Sequence, residues 1–67
     1  MSPTALYRAA CVASRRASEA RQALPPGSSR AKVTTANARW TSAAEERERL
    51  GAEISPEDRA RVDRDLR

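Results

Sequence analysis

The chain has no histidine and no phenylalanine, and only one cysteine, one methionine, one tyrosine and one tryptophan among its 67 residues. Without histidine, no side chain has an ordinary pKa near neutrality, so general acid–base catalysis lacks its usual base. A single cysteine excludes an internal disulfide and, with no histidine beside it, a zinc site of the usual donors. Two glycines do not make a phosphate-binding loop, and no carboxylate pair sits in an apolar surround. The expectation is a non-enzyme without metal or cofactor. No apolar run approaches the roughly 18 residues of a membrane-spanning helix. Cys11 reads as a small hydrophobe in a reduced compartment rather than as a thiol activated by Arg8 and Arg15, one turn away on either side.

Bulky apolar side chains are scarce as well. Of 26 hydrophobic residues, 14 are alanine, which removes little apolar surface from water. Leu, Ile and Val make up 8 of 67 residues, under the roughly 20% below which disorder becomes the default. Such a chain is expected to be extended and ordered mainly by a partner that supplies the missing interior.

What the chain does have is charge, unevenly placed. Residues 1–37 carry Arg8, Arg15, Arg16, Arg21, Arg30 and Lys32 against Glu19 alone, a net +5; residues 38–67 carry seven arginines against eight acids, a net −1. The basic N-terminal half is the part that would meet an acidic partner face.

The pattern is all-α, with two or three helices. Residues 3–24 form the first: Ser2 caps it, Pro3 suits its first turn, and Pro25-Pro26-Gly27 ends it. Leu6, Ala9, Ala10, Ala13, Ala17, Ala20 and Leu24 follow three-and-four spacing and form a narrow small-residue stripe suited to close helix packing. Residues 25–34 read as a Pro/Gly/Ser linker and 35–67 as a charge-balanced helical segment. Within it, a second helix over 42–50 starts at a capping box, Ser42 with Glu45, and stops at Gly51; a start as early as Thr35 would bring Trp40 onto it. Ser55-Pro56-Glu57-Asp58 opens a third helix over 56–66, supported by local pairs of Glu57 with Arg61, Arg59 with Asp63 and Arg61 with Asp65.

The first 18 residues contain Arg8, Arg15 and Arg16, several Ala and Ser, and no acid, on an amphipathic pattern. That is how mitochondrial presequences read. Ala5-Leu6-Tyr7-Arg8-Ala9 followed by Ser14-Arg15-Arg16 resembles the first helix of the mitochondrial LYR-motif family of small three-helix adaptors. That resemblance implies service to respiratory-complex or iron–sulfur assembly and binding of acyl carrier protein. Leu6 and Tyr7 would then pack between helices, with Arg8, Arg15 and Arg16 facing an acidic partner. The chain departs from the family at Ala10, Cys11, Val12 and Ala17, where bulkier residues and a further arginine are usual. Ala38-Arg39-Trp40, Ala43-Ala44-Glu45, Leu50-Gly51 and Pro56–Arg61 are similar to the helical C-terminal regions of actinobacterial ATPase-type regulators.

The function these readings favour is that of an accessory subunit or adaptor of a larger, respiratory-chain complex in mitochondria. On a partner's acidic or apolar docking surface, Leu6, Tyr7, Leu24 and Trp40 would supply burial, and Arg8, Arg15 and Arg16 would match acidic groups. The alternatives are an RNA-associated, mitochondrial ribosomal peptide, which one tryptophan among eight acids serves poorly, and a fragment of a bacterial helical regulator.

Overall fold

The computed structural model describes all 67 residues and consists of three helices, α1 (Pro3–Gln22), α2 (Arg30–Gly51) and α3 (Pro56–Asp65). The molecule is elongated, 42 × 20 × 18 Å. α1 and α2 form an antiparallel hairpin, and α3 folds back over the N-terminal half of α1.

Each helix starts at a serine. The hydroxyl of Ser2 accepts from the Ala5 amide (3.1 Å), that of Ser29 from Lys32 (3.3 Å) and that of Ser55 from Asp58 (3.2 Å), which satisfies an amide the first turn leaves without a partner. α1 stops two residues short of the expected 24 because Pro25 disfavours helical geometry in Leu24.

The second helix corrects the sequence reading most. It begins at Arg30, so the expected 25–34 linker shrinks to a turn. Pro26 and Gly27 occupy its centre, Gly27 has φ +84°, and the Ser28 amide donates to the Pro25 carbonyl at 3.1 Å, as a type II turn requires. Nothing between Ser29 and Gly51 interrupts a helix, so it runs through. The Ser42/Glu45 pair lies inside α2 rather than at its start.

The buried face of α1 is also turned from the expected stripe. Tyr7, Ala10 and Ser14 are buried, whereas Ala9, Ala13 and Ala20 are exposed and Leu6 keeps 40% of its surface. Tyr7 is the only residue of α1 with bulk enough to fill the junction of the three helices, and the small Ala10 and Ser14 let α2 come close on the same face. Leu50 and Val62 complete this core, with Cys11, Ile54 and Leu66 packed against it. Six residues in all are buried. No helix is long and apolar enough to cross a membrane.

α3 is held by other helices rather than by its own charges. Val62 is fully buried. Asp63 accepts from the Tyr7 hydroxyl (2.8 Å), Asp65 from Arg8 (2.9 Å), and Arg59 donates to both oxygens of Glu48 (3.0 and 3.1 Å). Arg61 pairs with Asp58 at 3.8 Å instead of with Glu57 or Asp65, and in α2 Arg49 pairs with Glu46 and Glu53. For Asp63 and Asp65 the distant partners win because packing Val62 against Tyr7 already brings these carboxylates to α1.

Candidate docking surface

The buried bulky side chains meet at Tyr7, Leu50 and Val62, and toward the opposite end of the hairpin no residue of α1 or α2 is buried. There an apolar groove of about 380 Å³ runs between α1 and α2, lined by Ala17, Ala20 and Leu24 on one side and Ala31, Thr35 and Ala36 on the other. On α1 it continues into exposed Ala13, Ala9 and Leu6, which follow the same helical spacing. The small-residue stripe legible in the sequence is thus largely uncovered by the chain's own packing.

Lys32 and Arg39 of α2 also line this groove. Arg16 stands three residues beyond Ala13 and four before Ala20, at the stripe's outer edge. None of the three makes an ion pair with another residue of the chain. There is no acid between residues 20 and 44 to provide one.

A second groove, of about 540 Å³, flanks the hairpin on the other side and includes Tyr7, Cys11, Ser18, Trp40, Arg47 and Arg59. Its charges answer one another. The Arg59 guanidinium, bonded to Glu48, holds that carboxyl below its ordinary pKa, with Arg47 contributing, and the Arg59 pKa is raised in return by Glu48 and Tyr7. The Tyr7 hydroxyl is pushed up to about 12, first by burial and then by the neighbouring Cys11 thiol and the Asp63 carboxylate that accepts its hydrogen bond. This side is a neutralised seam rather than a surface with binding capacity to spare.

The residues expected to meet a partner divide accordingly. Tyr7 is interior and unavailable. Arg8 is paired with Asp65, and Arg15 donates to the Leu66 carbonyl, so two of the three arginines expected to face a partner close the chain on itself. Arg16 remains free. Leu24 lines the apolar groove and Leu6 lies at the far end of its stripe. Trp40 sits on the other side of the hairpin, 37% exposed, with the Arg21 guanidinium 4.8 Å from its ring centroid and Arg21 Nε donating to Asn37 at 2.6 Å. It is an anchor between α1 and α2 before it is an anchor for anything else.

No family model, curated protein or solved structure matches this chain. The likenesses to the LYR-motif adaptors and to the regulators' C-terminal regions rest on the quoted residues alone.

Sequence reasoning missed the α2 wall of the groove, Ala31, Lys32, Thr35, Ala36 and Arg39. Most of it fell in the stretch read as linker or at its edge. The signal was present: Lys32, Ala36 and Arg39 follow four-and-three spacing, and Ser29 precedes a run of helix formers.

Proposed function

We propose that this chain is a non-catalytic accessory subunit or adaptor that stabilises or helps assemble a larger protein complex by seating partner surface on the α1 stripe and the adjoining groove. One observation carries the reading: the chain leaves Leu6, Ala9, Ala13, Ala20 and the groove uncovered, while the bulky side chains it does bury, Tyr7, Leu50 and Val62, serve the junction of the three helices. Small residues permit close helix approach, and a partner helix would contribute the bulk this interface lacks.

A mitochondrial respiratory-chain complex is the assembly put first, on the acid-free basic N-terminus and the Leu6-Tyr7-Arg8 sequence. In that setting the N-terminal segment stays on the working protein, since it carries Tyr7, Ala10 and Ser14, half of the buried residues.

The test is the size of the particle that holds the chain in gentle extracts of its native cell. The wild type is expected to elute far above its own 7.3 kDa, in mitochondrial fractions. Ala20→Arg, which fills the groove without changing its sign, should release it. Elution of the wild type as a free monomer, or an assembly indifferent to the variant, rejects the reading.

A further inference from the structure

We infer that the occupant of the α1–α2 groove is an amphipathic helix of a different protein, with aliphatic side chains on its buried face and carboxylates along its edges. This rests on the docking function proposed above and names its partner's chemistry.

Two features of the groove select this occupant. Its floor is methyl groups and the Leu24 side chain, which recognise aliphatic carbon and offer nothing to a phosphate or a base. Its α2 wall carries Lys32 and Arg39, Arg16 stands by helical spacing at the outer edge of the adjoining α1 stripe, and none of these cations has an intramolecular ion-pair partner. Helix spacing puts carboxylates three or four residues apart along one edge, which suits Lys32 and Arg39, seven residues apart and therefore two turns along the same edge of α2. A polar rim of matched sign around an apolar centre is the usual anatomy of a specific protein interface.

A second copy of the chain is a poor candidate. Its acids lie in the C-terminal third of the chain apart from Glu19, and the apolar residues beside them, Leu50, Ile54, Val62 and Leu66, are buried in or packed against its own core. It has carboxylates to offer but no free aliphatic face to go with them. Nucleic acid would find cations but only around an apolar floor, with no aromatic side chain in the groove on which a base could stack.

The experiment uses the full chain and two blocked model helices with the same Leu/Ala face, one edged with Glu and the other with Lys. Titrations are followed through the alanine methyl resonances. The Glu-edged helix should saturate with shifts at Ala17, Ala20, Ala31 and Ala36. The Lys32→Glu/Arg39→Glu double variant, whose unchanged helicity is checked by circular dichroism, should weaken it roughly tenfold or more and favour the Lys-edged helix instead. The milder Lys32→Gln/Arg39→Gln pair should fall between.

Equal affinity for both helices, no binding of either, shifts confined to the Trp40 side, methyl shifts on concentrating the chain alone, or displacement by a single-stranded RNA oligonucleotide would each overturn the inference. If the native assembly is lost on Ala20→Arg yet the Glu-edged helix does not bind, only the occupant is wrong. If the assembly ignores Ala20→Arg, the docking function and the occupant fall together.

Discussion

Gly51 lies directly against Tyr7: a Cβ at position 51 would stand 3.0 Å from Tyr7 Cε1 and 3.0 Å from the Arg59 guanidinium. Gly51 has ordinary helical geometry as the last residue of α2, and only Gly27 has positive φ. Its lack of a side chain therefore serves close approach of α1 to α2 rather than a left-handed cap. Arg59 can swing away, but the Tyr7 ring is almost fully enclosed and cannot.

Two terms oppose one another in Gly51→Ala. Helix propensity favours alanine by up to ~1 kcal/mol, while overpacking typically costs ~1–3 kcal/mol. The expected outcome is a net loss of about 1 kcal/mol in urea denaturation, and a larger one for Gly51→Val, whose branch has no space at all. A stabilised Gly51→Ala would mean that Tyr7 yields more readily than its enclosure implies.

Tyr7 also gives the molecule a defined alkaline limit. Its folded-state pKa, about 12, lies above the ordinary value of 10.0, so the native chain holds the phenolic proton more tightly than the unfolded chain does. That contribution is fully present below pH 10, and it is lost as pH rises from 10 through about 12. Because this is the only tyrosine, tyrosinate absorbance reads it alone. The titration should run late and coincide with loss of helicity, and Tyr7→Phe should remove this alkaline transition while costing ~1 kcal/mol for the lost bond to Asp63. An ordinary midpoint near 10 would show that the phenol is not enclosed.

Arg59 touches all three helices. Rooted in α3, it bonds Glu48 of α2 and places its guanidinium 5.6 Å from the Tyr7 ring centroid on α1. Nη2 alone donates to both carboxylate oxygens while the rest of the guanidinium lies over the ring, and a compact ammonium has no second arm to span the two. Arg59→Lys keeps the charge and should still lose roughly 1 kcal/mol, with the amides of α3 exchanging faster. Glu48, whose carboxyl pKa is lowered mainly by Arg59, adds an acid dependence: its contribution is present above the ordinary carboxylate pKa and fades as pH falls below it. Arg59→Lys should blunt that acid sensitivity, and an undiminished one would place its origin elsewhere.

How much of this was legible in the sequence depended on contrast. Ser2-Pro3, Pro25-Pro26-Gly27 and Ser55-Pro56 are strong boundary signals, and the ends of α1 and α3 lie within two residues of where they point. The start of α2 has no proline to mark it, while Ser42 and Glu45 imitate a cap in the middle of a polar helix. On α1 the difficulty was orientation. Alanines at 9, 10, 13, 17 and 20 form a stripe of equivalent methyl groups with no bulk to fix which part of it faces inward, so Tyr7, which lies off the stripe, decides which way the helix turns. The ion pairs of α3 were unreadable for a related reason. Asp63 and Asp65 each have an arginine one turn away worth only a few tenths of a kcal/mol, and tertiary partners outbid it once the helix is docked. The groove followed from both: its α1 wall was visible as a stripe, and its α2 wall was hidden by the misplaced helix start.

The uneven distribution of bulk should be measurable as an uneven stability. All the buried residues of α2, Leu50 and Gly51, lie at its C-terminal end beside Tyr7 and Val62. The first half of α2 has no buried residue and is held to α1 by Arg21, through Asn37 and Trp40, and by half-buried Ala36. Local opening there breaks few contacts, whereas opening near Tyr7 dismantles the core. Native-state hydrogen exchange should therefore show amides from Lys32 to Arg39 exchanging roughly a hundredfold faster than those of Ala10, Cys11 and Leu50. A partner helix seated in the groove should slow the fast set selectively, because that is the segment whose interior it completes. Uniform protection along α2 in the isolated chain would mean the hairpin needs no such completion, and the case for a docked partner would lose its physical ground.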